Sequence, residues 1–407
     1  MQLTTFANGL RVASREMPGF ATAAVGLYVE SGSRSEPAAL NGIAHLFEHM
    51  VFKGAGGRSA RAISEAIEDV GGELNACTER EGTSFTASVM PEDVPLAIEL
   101  IADLVMRPHL SPAELEREKD VVLQELGEAR DTPNDIIFDE LWSAAFDAQP
   151  IGRSILGDEG SIAAIGCGDL EAWRAGQYRG GNLTLVGAGK VEHDALVALA
   201  EHWFASLEPG RPPAPEPARF TGGSRIGRTP SEQAHLTIGL AAPAARAPDY
   251  LAARLFADLV GGGMSSRLFQ QLREERGLAY SIYSVLHPFA DTGLFYAYAA
   301  TAKRQSADAA QLIEEIIRAA ATDASQRELD RARTQARAAL LMSLETPWGQ
   351  AAYVARQLSV HGRLVEPSEV LADLAAVTLD EVRAAGAAMV AGPRARATIG
   401  APAVRAA

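Results

Sequence analysis

The chain repeats itself, and a long internal repeat leaves few architectures open. Ser111…Glu114-Leu115…Asp131-Thr132-Pro133 recurs as Ser325…Glu328-Leu329…Glu345-Thr346-Pro347, each matched pair lying 214 residues apart. Upstream, Ala44-His45-Leu46-Phe47-Glu48-His49 aligns with Ala253-Arg254-Leu255-Phe256-Ala257-Asp258 at a spacing of 209, a difference that fits one loop insertion. At 407 residues the chain exceeds what one hydrophobic core organises. The inference is two homologous α+β domains, each a mixed sheet packed with helices. Glu208–Thr229 is rich in Pro, Gly and Arg and reads as a linker without packed elements. The expected boundaries are 1–208, a linker at 209–229, and 230–407.

Local signals fill in the first copy. Asn8-Gly9 between two strand-like runs predicts a type I′ hairpin. Val25, Leu27 and Val29 alternate within a strand over 21–30. Ser59 caps a helix over about 60–70, and strands follow near 73–78 and 83–89. Helical periodicity over 92–107 is stopped by Pro108. Ser111-Pro112-Ala113-Glu114 starts a helix reaching about 129. A strand near 183–186 and a helix over about 192–205 close this copy.

The first copy carries His45-Leu46-Phe47-Glu48-His49. On a helix, positions i and i+4 share a face with about 6 Å between them, so two imidazoles can grip one ion. Glu48 can then reach a water on the metal rather than the metal. In the second copy these positions hold Arg254, Ala257 and Asp258, whereas Leu46 and Phe47 persist as Leu255 and Phe256. The fold needs the apolar pair, and the His-Glu-His set is there for chemistry. Two histidines do not complete a catalytic zinc site, which takes three protein ligands. Glu118 and Glu125 share a face of the 112–129 helix, and their second-copy counterparts are Ala332 and Ala339. That loss marks both as site residues without saying which one binds metal. His109, His193, His202, His235, His287 and His361 show no such clustering.

Composition narrows the partners. The balance of 37 basic and 52 acidic residues, net −15, comes without any basic block, so nucleic acid is an unlikely partner. It mildly favours a basic peptide as substrate. No apolar run approaches a membrane span, so no membrane insertion is expected. The N-terminus lacks a basic region followed by an apolar stretch, which predicts a cytoplasmic protein unless a leader has been lost. Cys77 and Cys167 make neither a disulfide framework nor a metal site, and are expected as buried free thiols.

Over nearly its whole length the chain resembles the pitrilysin or M16 family of zinc metallopeptidases, in the branch of the mitochondrial processing peptidase subunits and their bacterial relatives. The resemblance rests on the inverted motif, on Gly71-Gly72-Glu73-Leu74-Asn75-Ala76-Cys77-Thr78 with Glu81, on Gly261-Gly262-Gly263-Met264-Ser265-Ser266-Arg267-Leu268-Phe269, and on Leu272-Arg273-Glu274-Glu275-Arg276-Gly277-Leu278-Ala279-Tyr280. It implies one Zn²⁺ per chain, held by His45, His49 and Glu125, with Glu48 as general base and Glu118 steadying a histidine. It implies a substrate-binding edge strand with Asn75 and Ala76. From the second domain, Arg273 would hold a substrate carbonyl and Tyr280 the oxyanion. The implied activity is metalloendopeptidase cleavage of extended or unfolded peptides. The family's chamber is built from four such domains, so a two-domain chain is expected to pair as a homodimer or as a heterodimer with a paralogue lacking the motif. Competing readings are a non-catalytic or partner-dependent subunit of a processing-peptidase-like complex, and a metal-dependent hydrolase of non-peptide substrates.

Overall fold

Each copy of the repeat builds a mixed sheet packed with helices, in a computed structural model that describes residues 1–401. The strands are β1 (Gln2–Thr5), β2 (Arg11–Glu16), β3 (Ala23–Val29), the short pair β4 (Gly54–Ala55) and β5 (Arg58–Ser59), β6 (Glu73–Thr78), β7 (Thr83–Val89), β8 (Leu183–Gly189), β9 (Gly223–Gly227), β10 (Gln233–Ala242), β11 (Ala279–Pro288), β12 (Gly293–Ala302) and β13 (Arg394–Ile399). The helices are α1 (Ile43–Val51), α2 (Ala60–Glu68), α3 (Val94–Met106), α4 (Pro112–Asp131), α5 (Pro133–Ala145), α6 (Glu159–Ala164), α7 (Cys167–Gln177) and α8 (His193–Phe204), then α9 (Tyr250–Gly261), α10 (Ser306–Asp323), α11 (Gln326–Ser343), α12 (Pro347–His361), α13 (Pro367–Ala376) and α14 (Leu379–Ala391).

The duplication is visible in strand order. The first sheet runs β1-β2-β8-β3-β7-β6 and the second β11-β12-β10-β13-β9. Reversing the second superposes β9 on β2, β13 on β8, β10 on β3, β12 on β7 and β11 on β6. The one parallel pair falls at the same place in each, β2 with β8 and β9 with β13. The predicted linker therefore ends in a strand. β9 is exposed along most of its length, and its composition hides it, but it is the counterpart of β2.

The compact units do not follow the two halves of the sequence. One comprises Met1–Leu126, Ser154–Glu216 and Leu341–Val365. The other comprises Gly127–Arg153, Pro217–Leu340 and the segment from Glu366 onward. α12, from the second half, packs on β8, β3 and β2, while α5, from the first half, packs on β13, β10 and β9. The matched Thr132-Pro133 and Thr346-Pro347 mark where the exchanged helices begin. The exchange explains why β3 is buried on both faces, beyond the alternation that Val25, Leu27 and Val29 suggest.

In the first unit Leu46 and Phe47 are fully buried with Leu27, Phe85, Ile98 and Leu185. In the second, Leu255 and Phe256 are equally buried, with Phe295 and Ile313. Each such side chain contributes roughly 1.5–3 kcal/mol. The hairpin at Asn8-Gly9 forms, but not as a type I′ turn. Its strands pair as far as Thr5↔Arg11, leaving a five-residue loop with only Gly9 at positive φ. Asn8 is diverted: its Oδ1 accepts from Leu10 N at 3.0 Å and its Nδ2 donates to Phe204 O at 3.1 Å. The cysteines also differ from expectation, Cys77 being exposed and Cys167 half-buried. Cys77 lies on a sheet edge, where alternate side chains face solvent.

At the start of α11, Ser325 N and Oγ donate to Glu328 Oε2 at 2.8 and 2.7 Å, a reciprocal cap. Arg267 Nε donates to the same carboxylate at 2.6 Å. Burial alone would raise the Glu328 carboxyl, but Arg267 and Ser325 hold it down to about 2. A depressed carboxyl contributes stability above its unfolded value of about 4.3, and the contribution is lost as pH falls toward the folded value. The wild type should therefore lose more stability than Glu328→Gln between about pH 4.5 and 2. Urea unfolding across that window checks this, and parallel stability curves would refute it.

Candidate metal centre

α1 owes its start to two residues that no capping pattern announces. Gly42 sits at φ 92, where an added Cβ would stand 2.6 Å from Ile162 Cδ1. Glu36, 3% exposed, reaches the helix entry from six residues upstream. Its Oε2 accepts from Gly42 N at 2.8 Å and Asn41 Nδ2 at 2.7 Å, and its Oε1 accepts from Ala44 N at 2.9 Å. A carboxylate there satisfies orphan amides and complements the helix dipole. With Ile43, Leu46, Phe47, Met50 and Val51 buried, the opposite stripe presents His45 and His49.

The two imidazole centroids are 4.6 Å apart. Glu125 Oε2 lies 3.8 Å from His45 Nε2 and 3.6 Å from His49 Nε2, and one ligand atom from each of the three residues lies within 4.8 Å of the others. Ligand atoms about 2.0–2.1 Å from a tetrahedral zinc stand about 3.4 Å apart, so the set fits such an ion after small adjustments. Burial, and then the neighbouring His49, push His45 down to about 4, so its imidazole is neutral at physiological pH, as a metal ligand must be.

The heptad pair on α4 divides its tasks. Glu118, 5% exposed, turns Oε2 to His49 Nδ1 at 3.2 Å and Oε1 to Lys53 Nζ at 2.8 Å. It thus both steadies a histidine and forms a salt bridge, but buried rather than on the surface. His45 Nδ1 is buried with no such partner. Glu48 lies beside Thr78, and its Oε2 is buried and unpartnered. Burial raises its carboxyl above the ordinary range, against the pull of Thr78 and His49.

β6 is the outer strand of the first sheet and brings Thr78 to Glu48. Asn75 is exposed on it, and Ala76 N donates to Asn75 Oδ1 at 2.8 Å rather than to β7. In the second unit Arg273 lies in a π-helical turn, Phe269–Glu274. Its guanidinium stacks on the rings of Phe269 and Tyr280 at 4.7 and 4.5 Å, and Nη1 donates to Tyr280 O at 2.9 Å. Tyr280 is 75% exposed. The pair flanks a cavity of about 530 Å³ whose walls also include Asp135, Phe138, Tyr283 and Tyr298. The structure brings His45, His49 and Glu125 together and sets Glu118 against His49, with Glu48 on the same helix as the histidines. Sequence reasoning missed Glu36, Lys53, Thr78 and the cavity.

Residues 11–159 match the profile of insulinase (peptidase family M16), and residues 166–336 match that of the peptidase M16 inactive domain. An uncharacterized zinc protease of Mycobacterium leprae is 36% identical, over 94% of this chain and 87% of its own length. One of Rickettsia bellii is 34% identical over 89% of each. The mitochondrial-processing peptidase subunit beta of Lentinula edodes is 33% identical, over 94% of this chain and 85% of its own. The chain belongs to peptidase family M16. A crystal structure of a peptidase M16 inactive domain from Pseudomonas fluorescens shares its fold, with a TM-score of 0.91 at 22% identity over 100% of this chain and 98% of the other. Among the described residues no helix is long and apolar enough to cross a membrane.

Glu36→Ala leaves three donors at the entry of α1 without their acceptor, and should cost about 2–4 kcal/mol of stability. Denaturant unfolding measures it, and a loss below about 0.5 kcal/mol would refute the capping role.

Proposed function

We propose that the chain is a zinc-dependent metalloendopeptidase that cuts extended or unfolded peptides in the bacterial cytoplasm. The observation that carries this is the unpartnered, buried Oε2 of Glu48 beside a His45-His49-Glu125 cluster of metal-ligand spacing. A bound Zn²⁺ would supply Lewis acidity toward the attacking water and the scissile carbonyl. Glu48 takes the proton of the water and passes it to the leaving amine. Glu118 holds the ring of His49, and Glu125 completes the ligand set.

The substrate adds to the open edge of β6 as a further strand. Asn75 Oδ1 then gives up the Ala76 N–H, which turns to a substrate carbonyl. In the second unit Arg273 holds a substrate carbonyl, and the exposed hydroxyl of Tyr280 meets developing negative charge. The adjoining cavity joins the carboxylate of Asp135 to the rings of Phe138, Tyr283 and Tyr298, which suits a basic side chain. Likeness to the processing-peptidase subunit supports placement in that branch, with pairing as a homodimer or with a motif-less paralogue.

Cleavage of a quenched fluorescent basic peptide tests the reading, with metal content measured on the same samples. Glu48→Gln should retain about one zinc per chain and lose on the order of 10²–10⁴-fold in kcat. Equal cleavage by both proteins would sink the mechanism. Zinc-loaded wild type that cuts nothing would favour the non-catalytic or partner-dependent subunit. Asp135→Asn should raise KM for arginine-containing peptides about tenfold and leave neutral peptides unchanged; an equal change for both would exclude the cavity as a basic subsite.

A further inference from the structure

We propose that Lys53 is a positioning residue of the metal centre, holding Glu118 so that His49 presents Nε2 to the ion. The inference rests on the metal-site reading above. A partner on the second nitrogen of a ligating imidazole fixes its tautomer and ring plane. For His49 that partner is Glu118, a long side chain whose own orientation must be set. Lys53 sets it. With Oε2 on His49 Nδ1 and Oε1 on Lys53 Nζ, both carboxylate oxygens are engaged and the plane of the group is fixed. The Glu118 side chain is only 6% exposed and that of Lys53 34%, so the lysine stands between a buried carboxylate and solvent, and removing it leaves that carboxylate short of a partner.

The lysine is itself anchored. Its N donates to Met50 O at 3.1 Å at the end of α1. The next residue, Gly54, has φ 147, and a Cβ there would stand 2.4 Å from His109 Nδ1. His109 N donates to Gly54 O at 2.8 Å. The β4–β5 hairpin that follows is clamped by buried Asp103, which accepts from Arg58 Nη1 at 3.0 Å and pairs with Arg107. The starting point of the Lys53 side chain is thus as fixed as α1.

The second copy supplies a control. At the 209-residue spacing of the motif Lys53 corresponds to Gly262, and at the 214-residue spacing of the later helix Glu118 corresponds to Ala332. Both members of the pair are missing from the unit that lacks the histidines. That unit still buries Leu255, Phe256 and Leu329 completely. An ion pair serving only to pack one helix on another would be as useful there. Nor does His45 share the load, since its Nδ1 has no partner and only His49 is steadied from behind.

The test is Zn²⁺ competition between a chromophoric chelator and the full-length chain, for wild type, Lys53→Met, Lys53→Arg, Glu118→Gln and the Lys53→Met/Glu118→Gln double variant. Lys53→Met should weaken zinc binding on the order of 10–100-fold. Lys53→Arg should recover most of that loss. The double variant should bind no more weakly than Glu118→Gln alone, because the lysine acts through the glutamate. Circular dichroism of the metal-free chains, taken below their unfolding transitions, should match wild type, separating loss of ion from loss of fold. Lys53→Gln, read alongside, keeps the comparison intact if the methionine variant folds poorly. Equal zinc affinity for Lys53→Met and wild type, or fully additive losses in the double variant, would overturn the inference. Failure of wild type to bind zinc at all is a different result and sinks the metal-site reading itself.

Discussion

The burial of one stripe of α1 is the constraint on which the centre depends. Ile43, Leu46, Phe47 and Met50 are at most 1% exposed. A helix sealed along one side cannot rotate about its axis without opening cavities in a close-packed interior. Its other residues therefore point where the core dictates. His45 and His49 need no partners of their own to find the same volume, and α4 has only to deliver Glu125 across from them. Glu36 and Gly42 fix the remaining freedom, the position of the helix along its axis. The three side chains of the cluster are placed by hydrophobic packing, and polar contacts refine them.

Much of this was legible because the chain contains its own comparison. The second copy keeps Leu255 and Phe256 and drops the histidines and both glutamates, which separates residues of the fold from residues of the site. The same comparison could have found β9, since a repeat of β2 is required beside the repeat of β8, although Pro-Gly-Arg composition argues for a linker. It could also have found Lys53, whose counterpart is glycine. These signals lay in pairs of distant positions, not in any local pattern.

What the sequence could not supply was set by tertiary contacts. Glu36 acts as a cap from outside the usual capping position, so no spacing rule announces it. Asn8-Gly9 has the composition of a two-residue turn, yet Asn8 spends its side chain on Leu10 and Phe204 and the loop widens. Cys77 was read as buried because free thiols usually are. Its place on an outer strand depends on the strand order of the whole sheet. The helix exchange is of the same kind: α5 and α12 carry no mark of which sheet they will cover.

That exchange has a consequence for how the chain is made. The sheet that carries the metal centre draws α12 from residues 347–361, near the end of the chain. During synthesis from the N-terminus, β2, β3 and β8 exist long before the helix that covers them. A fragment ending at the linker would hold His45, His49 and Glu125 and leave one sheet face open to water. The half that looks self-sufficient in sequence does not cover its own sheet, and the second copy supplies the missing wall.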